Sequence, residues 1–169
     1  TEACLNVLAE KAGIDLNDNH NWAPRIKEIP FDSDRKRMTT VHSLEKSLDG
    51  SHHISITKGA AKEVMELCSE YSDGQGAIKS MNATDRQEIL AANDQFARDG
   101  LRVLAVAYRP LESEDIREDK WDMRTLEEDM VFVGLVAMSD PPRQGVREAI
   151  EQCHRASIRI IMVTGDYGL

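Results

Sequence analysis

The sequence predicts an α+β fold in which a twisted antiparallel β-sheet is flanked by helices and followed by a short C-terminal α/β fragment. Stretches of alternating apolar and polar residues indicate strands, and Asp49-Gly50 between two of them is a strong hairpin signal. Helical periodicity occurs between groups of strands, which is typical of α+β folds. Beyond residue 138 the pattern changes to one helix and one apolar strand, as in part of a parallel α/β unit.

The N-terminal part is predicted to contain one helix and three strands. Apolar residues at helical spacing indicate the helix, which Gly13 ends. This apolar stripe comprises Leu5, Leu8, Ala9 and Ala12. Residues 14–24 are polar and are predicted to form a loop. The three strands are expected over residues 25–31, 36–44 and 51–57, the first of them interrupted at Pro30.

The middle of the chain is predicted to contain further helices and strands. One helical face comprises Val64, Leu67, Cys68 and Tyr71, and a short strand is expected over residues 77–81. Thr84 with Gln87 indicates a capping box for a helix that ends at Asp99-Gly100. Apolar strands follow over residues 101–108 and 130–138. The acidic stretch 110–129 between them is predicted to be an exposed connection with a short helix.

The C-terminal part begins with a break at Asp140-Pro141-Pro142. A helix is predicted around Val146 to Cys153, and a buried strand over residues 158–163 that ends in Thr164-Gly165-Asp166. In α/β proteins the end of such a strand carries ligand-binding groups, and a hydroxyl with a carboxylate there suits phosphate and Mg²⁺. Because no Walker loop is present, the sequence excludes a P-loop ATPase.

Composition limits the partners of the chain. Its 169 residues suffice for one domain, or for one domain and part of another. The net charge of −9, from 21 basic and 30 acidic residues, argues against nucleic acid and against an anionic membrane surface. No apolar run is long enough to span a bilayer. The three cysteines are interpreted as reduced thiols packed in helices, and no Cys/His spacing predicts a metal site.

Three places in the sequence combine groups that can bind a nucleotide. Around residues 31–38, Phe31 can stack on a base while Lys36 or Arg37 meets phosphate, although the alternative is a solvated turn whose charges neutralise one another. The strand that ends in Lys58 places an ammonium group at the rim of a sheet, and Gly59 leaves its backbone open to a planar or phosphorylated ligand. Arg102, at the entry of a buried strand, can grip phosphate or form a surface ion pair.

Glu2 is predicted to lie in the first turn of the first helix. There its carboxylate can accept a hydrogen bond from an adenine amino group. The alternative is that it complements the helix dipole.

Six segments, taken in order, resemble the cytoplasmic nucleotide-binding domain of type II P-type cation-transporting ATPases. They are Thr1-Glu2-Ala3 (family pattern T-E-x-A-L), Phe31 to Met38 (F-x-x-x-R-K-x-M), Thr57 to Ala60 (K-G-A-P-E), Gly100 to Ala105 ((G/T)-L-R-x-L-A), Gly134 to Arg143 (G-x-x-x-x-x-D-P-P-R) and Met162 to Asp166 (M-(V/I)-T-G-D). The resemblance covers nearly the whole chain. It is specific because all six segments occur in the same order as in the family.

The resemblance implies a nucleotide-binding domain over residues 1–138. It also implies a hinge with part of a haloacid-dehalogenase-like phosphorylation domain over residues 139–169. In the first domain it implies that Phe31 stacks on adenine and Lys58 lines the pocket, with Gly59 allowing close approach. The other implied nucleotide-binding residues are Glu2 and Lys36 at the border of the pocket, Arg102 at the phosphates, and Leu104. The implied hinge and phosphorylation-domain residues are Asp140, Arg143, Thr164, Gly165 and Asp166.

The resemblance further implies how the chain works in its parent enzyme. ATP, with Mg²⁺, phosphorylates an aspartate in a D-K-T-G-T motif, and the resulting cycle drives cations across a membrane. Because that motif is absent here, the chain is expected to bind ATP or ADP without a catalytic residue or metal site of its own. Its implied partners are the remaining phosphorylation, actuator and membrane domains, with this soluble part on the cytoplasmic face and out of direct contact with the membrane.

Two other interpretations are weighed against this one. Asp32-Ser33-Asp34 after an apolar stretch resembles the start of a free-standing haloacid-dehalogenase-like phosphatase, but Lys36 stands where that motif requires Thr or Val. A purely structural or protein-binding module is the third possibility. The chain also departs from the ATPase pattern, since Ala61-Lys62 replaces the usual Pro-Glu and Ser33 stands where many members carry a basic residue.

Overall fold

The computed structural model describes residues 2–15, 23–112, 115–116, 123–139 and 141–163. The chain forms two compact units, Thr1–Met138 and Ser139–Leu169. In the described residues of the first unit, strands β1 to β7 are Arg25–Asp32, Arg37–Leu48, Ser51–Gly59, Cys68–Ser72, Ile78–Ser80, Arg102–Leu111 and Met130–Met138. Its helices α1 to α4 are Glu2–Lys11, Ala61–Met65, Ala83–Arg98 and Met123–Glu127.

The seven described strands form one sheet in the order β1-β2-β3-β6-β7-β4-β5. Neighbouring strands are antiparallel except for β4 and β7, which pair in parallel. Asp49 and Gly50 both adopt positive φ, at 52° and 87°, and make the tight turn between β2 and β3. The predicted α+β class, with a mainly antiparallel sheet flanked by helices, is confirmed.

The two faces of the central sheet differ in what covers them. The closed face carries the buried core, to which α2 and α4 contribute residues and against which Ile89 of α3 packs. Its members are Val41, Ala61, Val64, Cys68, Ala105, Ala107, Leu111, Leu126, Met130 and Phe132. The open face carries the alternate residues of the same strands, among them Thr40, Ile56 and Val106. Leu5 and Leu8 of α1 line a cavity together with residues of this open face.

A buried carboxylate lies on the closed face, at the end of α4. Glu127 is only 3% exposed, and Thr39 donates a hydrogen bond of 2.7 Å to its Oε1. Arg35 donates to the same oxygen, and Arg37 donates to Oε2 over 2.9 Å. The Thr39 hydroxyl also meets the hydroxyl of Thr57, 2.7 Å away. Because two guanidinium groups and a hydroxyl surround the carboxylate, its burial is compensated.

The turn between β1 and β2, residues 33–36, is held by backbone contacts at both ends. The Asp32 carboxylate accepts hydrogen bonds from the N–H groups of Asp34 and Arg35, 2.9 Å each, and these bonds lower the pKa of Asp32 below its usual value. Lys36, with a left-handed φ of 52°, donates its N–H to the Asp32 carbonyl over 2.7 Å. Its own carbonyl accepts from Ala60 N–H over 3.0 Å. The turn is therefore fixed to the junction between β3 and α2.

The turn between β1 and β2 lies closely against β3 at Gly59. A Cβ at this position would lie 2.6 Å from Arg37 Cβ and 2.7 Å from Arg37 Cα, and would also collide with the Lys36 carbonyl oxygen. Only glycine leaves room for these atoms, since real Cβ atoms do not approach backbone so closely.

The helix predicted along residues 64–71 is wrong in its extent. Helix α2 ends at Met65, and Cys68–Ser72 form strand β4, paired in parallel with β7. A short apolar run fits a helix or a buried strand equally well, and the distant partner β7 decides between them. Cys68 therefore lies on a strand and not on a helix, and its burial raises the pKa of its thiol to about 12.

The capping box of α3 lies two residues before its predicted position. Asn82 is the N-cap, and its side chain accepts from the N–H groups of Thr84 and Asp85. The Asp85 carboxylate in turn accepts a hydrogen bond of 2.8 Å from the Asn82 N–H. Asparagine and aspartate perform here the roles predicted for Thr84 and Gln87.

In the described residues of the second unit, 139 and 141–163, the predicted helix is the only element that forms. Helix α5 spans Val146–Arg155. The strand predicted over residues 158–163 is wrong, since no strand is present there and Met162 and Val163 are 87% and 90% exposed. A buried parallel strand requires neighbouring strands, and the described residues of this unit supply none. Within the part of the chain that the structure describes, no helix is long and apolar enough to cross a membrane.

We expect Glu127→Gln to lower the free energy of unfolding by about 3 kcal/mol, because it leaves two largely buried guanidinium groups without a carboxylate. The matched control is Glu128→Gln, whose carboxylate is 58% exposed and lies 3.7 Å from Arg109. That change should cost no more than about 0.5 kcal/mol. Urea unfolding of the two variants measures the difference, and equal stabilities would contradict the assigned role of Glu127.

A second expectation concerns Gly59→Ala, which should lower the free energy of unfolding by about 2 kcal/mol, since β2 must move away from β3. His52→Ala, at an exposed position of the same strand, is the control and should change it by less than about 0.5 kcal/mol. Thermal unfolding monitored by circular dichroism gives both values. A fully stable Gly59→Ala variant would show that the close approach is not required.

Candidate functional site

The open face and α1 enclose a cavity of about 540 Å³ in the first unit. Its lining residues are Leu5, Leu8, Met38, Thr40, Ile56, Lys58, Val106, Val133, Gly134, Leu135 and Val136. The volume falls within the range of small-molecule sites, which are mostly apolar with a few polar groups.

Among the described residues that line this cavity, Lys58 is the single charged one. It is half-buried, and its neighbours across the sheet are Met38 on β2 and Val106 on β6. The position of Lys58 on β3 therefore places one charged side chain at an otherwise mostly apolar cavity. Such a group attracts anions more strongly than it would in open water, because the surrounding dielectric constant is lower.

Most of the predicted nucleotide-binding residues lie at one end of the sheet. Since β1, β2, β3 and β6 are antiparallel neighbours, the end of one strand lies beside the start of the next. This end, called the turn end here, contains Phe31 near the end of β1, Lys36 just before β2, Lys58 and Gly59 at the end of β3, and Arg102 with Leu104 at the start of β6. Sequence positions separated by about 70 residues are thereby brought together.

Arg102 and Leu104 share the open face with Val106, because alternate residues of a strand point to the same side. Leu104 pairs with the cavity-lining Val136 of β7, and the exposed Arg102 pairs with Met138. Gly59, the last residue of β3, pairs with Ala105, so β6 extends beyond β3 at this point. Arg102 lies four positions before Val106, or about 13 Å along the strand from the register position of Lys58.

Phe31 is 64% exposed and does not line the cavity. It lies on the edge strand β1, in a stretch where the register with β2 shifts between Ile29 and Asp32. Large aromatic side chains are usually buried, and the exposure of Phe31 leaves its ring accessible to a planar partner.

Lys36 lies at the turn end with its ammonium group directed to α2. Its Nζ lies 2.8 Å from Oε1 of Glu63, and the hydrogen bond from Lys36 lowers the pKa of the Glu63 carboxyl below its usual value. The Lys36 side chain is 58% exposed. Lys36 and Lys58 thus contribute two cations to this part of the structure.

The structure shows a packing role for Gly59 beside the predicted one. The absent side chain makes room for the Lys36 carbonyl oxygen and for Arg37. Gly59 is buried and shares the closed face with Thr57, whereas Lys58 is on the open face. Its packing role contributes to a site indirectly, through the position of the turn.

The remaining predicted site residues are not brought to the turn end by the described structure. Glu2 begins α1, but its side chain lies outside the described residues. Arg143 is exposed and precedes α5 in the second unit. Asp140, Thr164, Gly165 and Asp166 lie outside the described residues.

Two acids that hold this region together were missed by sequence reasoning. Glu127 is one of many acids in the stretch 110–129, and nothing in the local pattern distinguishes it. Glu63 lies in a helix of five residues and only its contact with Lys36 reveals it. Both are recognised from contacts with residues distant in sequence, for which the sequence carries no signal.

The geometry around Asp32 does not fit the nucleophile of a phosphatase. A haloacid-dehalogenase-like nucleophile requires the end of a buried parallel strand, whereas β1 is an antiparallel edge strand. The Asp32 carboxylate is engaged by two backbone N–H groups of its own turn. Its role is to stabilise that turn.

Comparison with known proteins gives consistent matches over the chain. The family described as P-type ATPase, cytoplasmic domain N, matches residues 1–145. Calcium-transporting ATPase 1 of Bacillus cereus is 40% identical over 167 residues, which are 99% of this chain and 18% of that protein. Probable cation-transporting ATPase F of Mycobacterium tuberculosis is 34% identical over 167 residues, covering 99% of this chain and 17% of that protein.

A eukaryotic relative matches over the same extent. Sodium/potassium exporting P-type ATPase cta3 of Schizosaccharomyces pombe is 33% identical over 170 residues, which cover 99% of this chain and 15% of that protein. The chain thus spans less than a fifth of the length of the curated relatives named here. With a family match that extends over residues 1–145 and the fold described above, this chain belongs to the family of P-type ATPase cytoplasmic N domains.

Proposed function

We propose that the chain binds ATP at the turn end of the sheet, as the nucleotide-binding part of a cation-transporting P-type ATPase. The observation that carries the proposal is the half-buried Lys58 side chain that lines an apolar cavity, with Lys36 and Arg102 at the same end of the sheet. An apolar wall suits the uncharged part of a nucleotide, and ammonium groups suit a phosphate chain. The family membership of residues 1–145 supports this assignment.

Within this site each residue has a distinct task. The exposed ring of Phe31 stacks on adenine, and Leu104 contributes an apolar contact. The Lys58 ammonium orients the nucleotide, Lys36 borders the phosphates, and Arg102 reaches them from the start of β6. Glu2, at the start of α1, accepts from the adenine amino group. Gly59 acts indirectly, since it allows the turn that carries Lys36 to lie against β3.

The chain binds the nucleotide but does not receive the phosphoryl group. The D-K-T-G-T motif, whose aspartate is the phosphate acceptor implied by the family resemblance, is absent from the 169 residues, so we assign no catalytic residue to them. Residues 139–169 are proposed to be the hinge and the start of the phosphorylation domain. In that part we assign Asp140 and Arg143 to the hinge, and Thr164, Gly165 and Asp166 to the phosphorylation domain.

The parent protein is proposed to couple ATP hydrolysis to cation transport, with Mg²⁺ accompanying ATP. Two of the relatives are named for calcium or cation transport and one for sodium and potassium export, so the cation of this protein is not assigned. The partners of the chain are ATP or ADP and the other domains of the same protein. This chain would lie on the cytoplasmic face of the membrane, and its net charge of −9 argues against nucleic acid.

We expect the 169-residue chain to bind ATP saturably in the millimolar range, and Lys58→Met to weaken that binding at least tenfold. A charge-assisted hydrogen bond contributes about 1.5–3 kcal/mol, and about 1.4 kcal/mol corresponds to tenfold. The matched control is Lys62→Met, which removes the same charge from an exposed position four residues away and should leave binding within about twofold. Isothermal titration calorimetry measures all three proteins. Absence of saturable heat with the unmodified chain, or equal weakening in both variants, would contradict the proposal.

A further inference from the structure

Glu63 and Lys36 form an ion pair at the turn end of the sheet. The Lys36 ammonium nitrogen lies 2.8 Å from Glu63 Oε1, with the carboxylate side chain 23% exposed and the lysine side chain 58% exposed. The pair joins residues 27 positions apart, one in the turn after β1 and one in α2. It is formed next to the strand end that carries Lys58.

The backbone holds both partners of this pair in place. The Lys36 carbonyl accepts from Ala60 N–H over 3.0 Å, and Ala60 is the N-cap of α2. Glu63 follows three residues later, in the first turn of that helix. Lys36 is itself fixed in a left-handed conformation, with a φ of 52°. Because both main-chain positions are fixed, forming the pair costs only the conformational entropy of the two side chains.

The Glu63 carboxylate and a phosphate chain would bind to the same ammonium group. The hydrogen bond from Lys36 lowers the pKa of Glu63, so the carboxylate is ionised at neutral pH. A phosphate group that approaches Lys36 therefore meets an ammonium already paired with an anion, and a like charge beside it. A ligand without phosphates has no need of Lys36 and does not encounter this competition.

We propose that Glu63 is a specificity-determining residue of the ATP site, which weakens the binding of phosphate-bearing ligands by holding Lys36 in an ion pair that they must open. The inference rests on the proposed ATP site. In this proposal a competing carboxylate of the same domain lowers the affinity for ATP. Adenosine, which lacks phosphates, is unaffected by this contact.

The test is a double-mutant cycle on the 169-residue chain, with ATP and adenosine affinities measured by isothermal titration calorimetry. We expect Glu63→Gln to tighten ATP binding about two- to fivefold, as for release of an exposed ion pair, and to leave adenosine binding unchanged. In a Lys36→Met background the same change should have no effect on ATP. Glu66→Gln, which removes a charge of the same sign at an exposed position three residues away, should change ATP binding less than Glu63→Gln does. The gain should diminish at high salt.

The outcomes separate this inference from the proposed function. If the unmodified chain does not bind ATP, both are wrong. If it binds ATP and Glu63→Gln leaves the affinity unchanged or weakens it, only the role of Glu63 is overturned, since the carboxylate then does not compete. An equal gain with and without Lys36 would also overturn it, because the effect would be a general change of charge. Glu63→Ala provides a second variant, and thermal unfolding checks that each protein is folded.

Discussion

The buried carboxylate of Glu127 is the interaction on which the geometry of the site depends. It accepts hydrogen bonds from Arg35 and Arg37, which flank Lys36, and from Thr39 on β2. A single acid at the end of α4 thereby fixes the start of β2 on the closed face of the sheet. Since a buried charge is stable only with its partners, the acid and the two arginines form one unit. Lys36 lies between the two fixed arginines, so its backbone position follows from theirs.

The absent side chain of Gly59 completes this arrangement from the other side. The backbone of Lys36 and Arg37 fills the space that a Cβ would require, and the Lys36 carbonyl accepts the N–H of Ala60. The closed face thus supports the turn, while Lys58, one residue earlier in the chain, faces the open side and the cavity. The buried contacts that fix the turn and the cavity-lining Lys58 therefore lie on opposite faces of the same strands. Because β6 is antiparallel to β3, its first residue, Arg102, lies at the same end of the sheet as Lys58. The proposed ATP site is formed by these adjacent strand ends.

Local signals are sufficient to predict most of the helices and strands. The hairpin at Asp49-Gly50 and the strand that ends in Lys58 follow from alternation and from turn chemistry. Strand β4 was predicted as a helix, because its parallel pairing with β7 lies about 60 residues away in the chain and leaves no local trace. The packing role of Gly59 leaves no local signal for the same reason, since the atoms that exclude a side chain there belong to Lys36 and Arg37. Glu127 was not singled out, since its partners are about 90 residues distant.

The central claim is that ATP binds at the turn end of the sheet and at no other part of it. The most direct measurement is an ¹⁵N–¹H correlation spectrum of the chain during titration with ATP. If ATP binds at the turn end, the amide signals of residues 32–37, 58–60 and 102–104 should shift together with one dissociation constant. The signals of His52, His53 and Arg109, which lie toward the other end of β3 and β6, should stay in place. Shifts concentrated at that other end, or no saturable shift at millimolar ATP, would show that the turn end is not the ATP site.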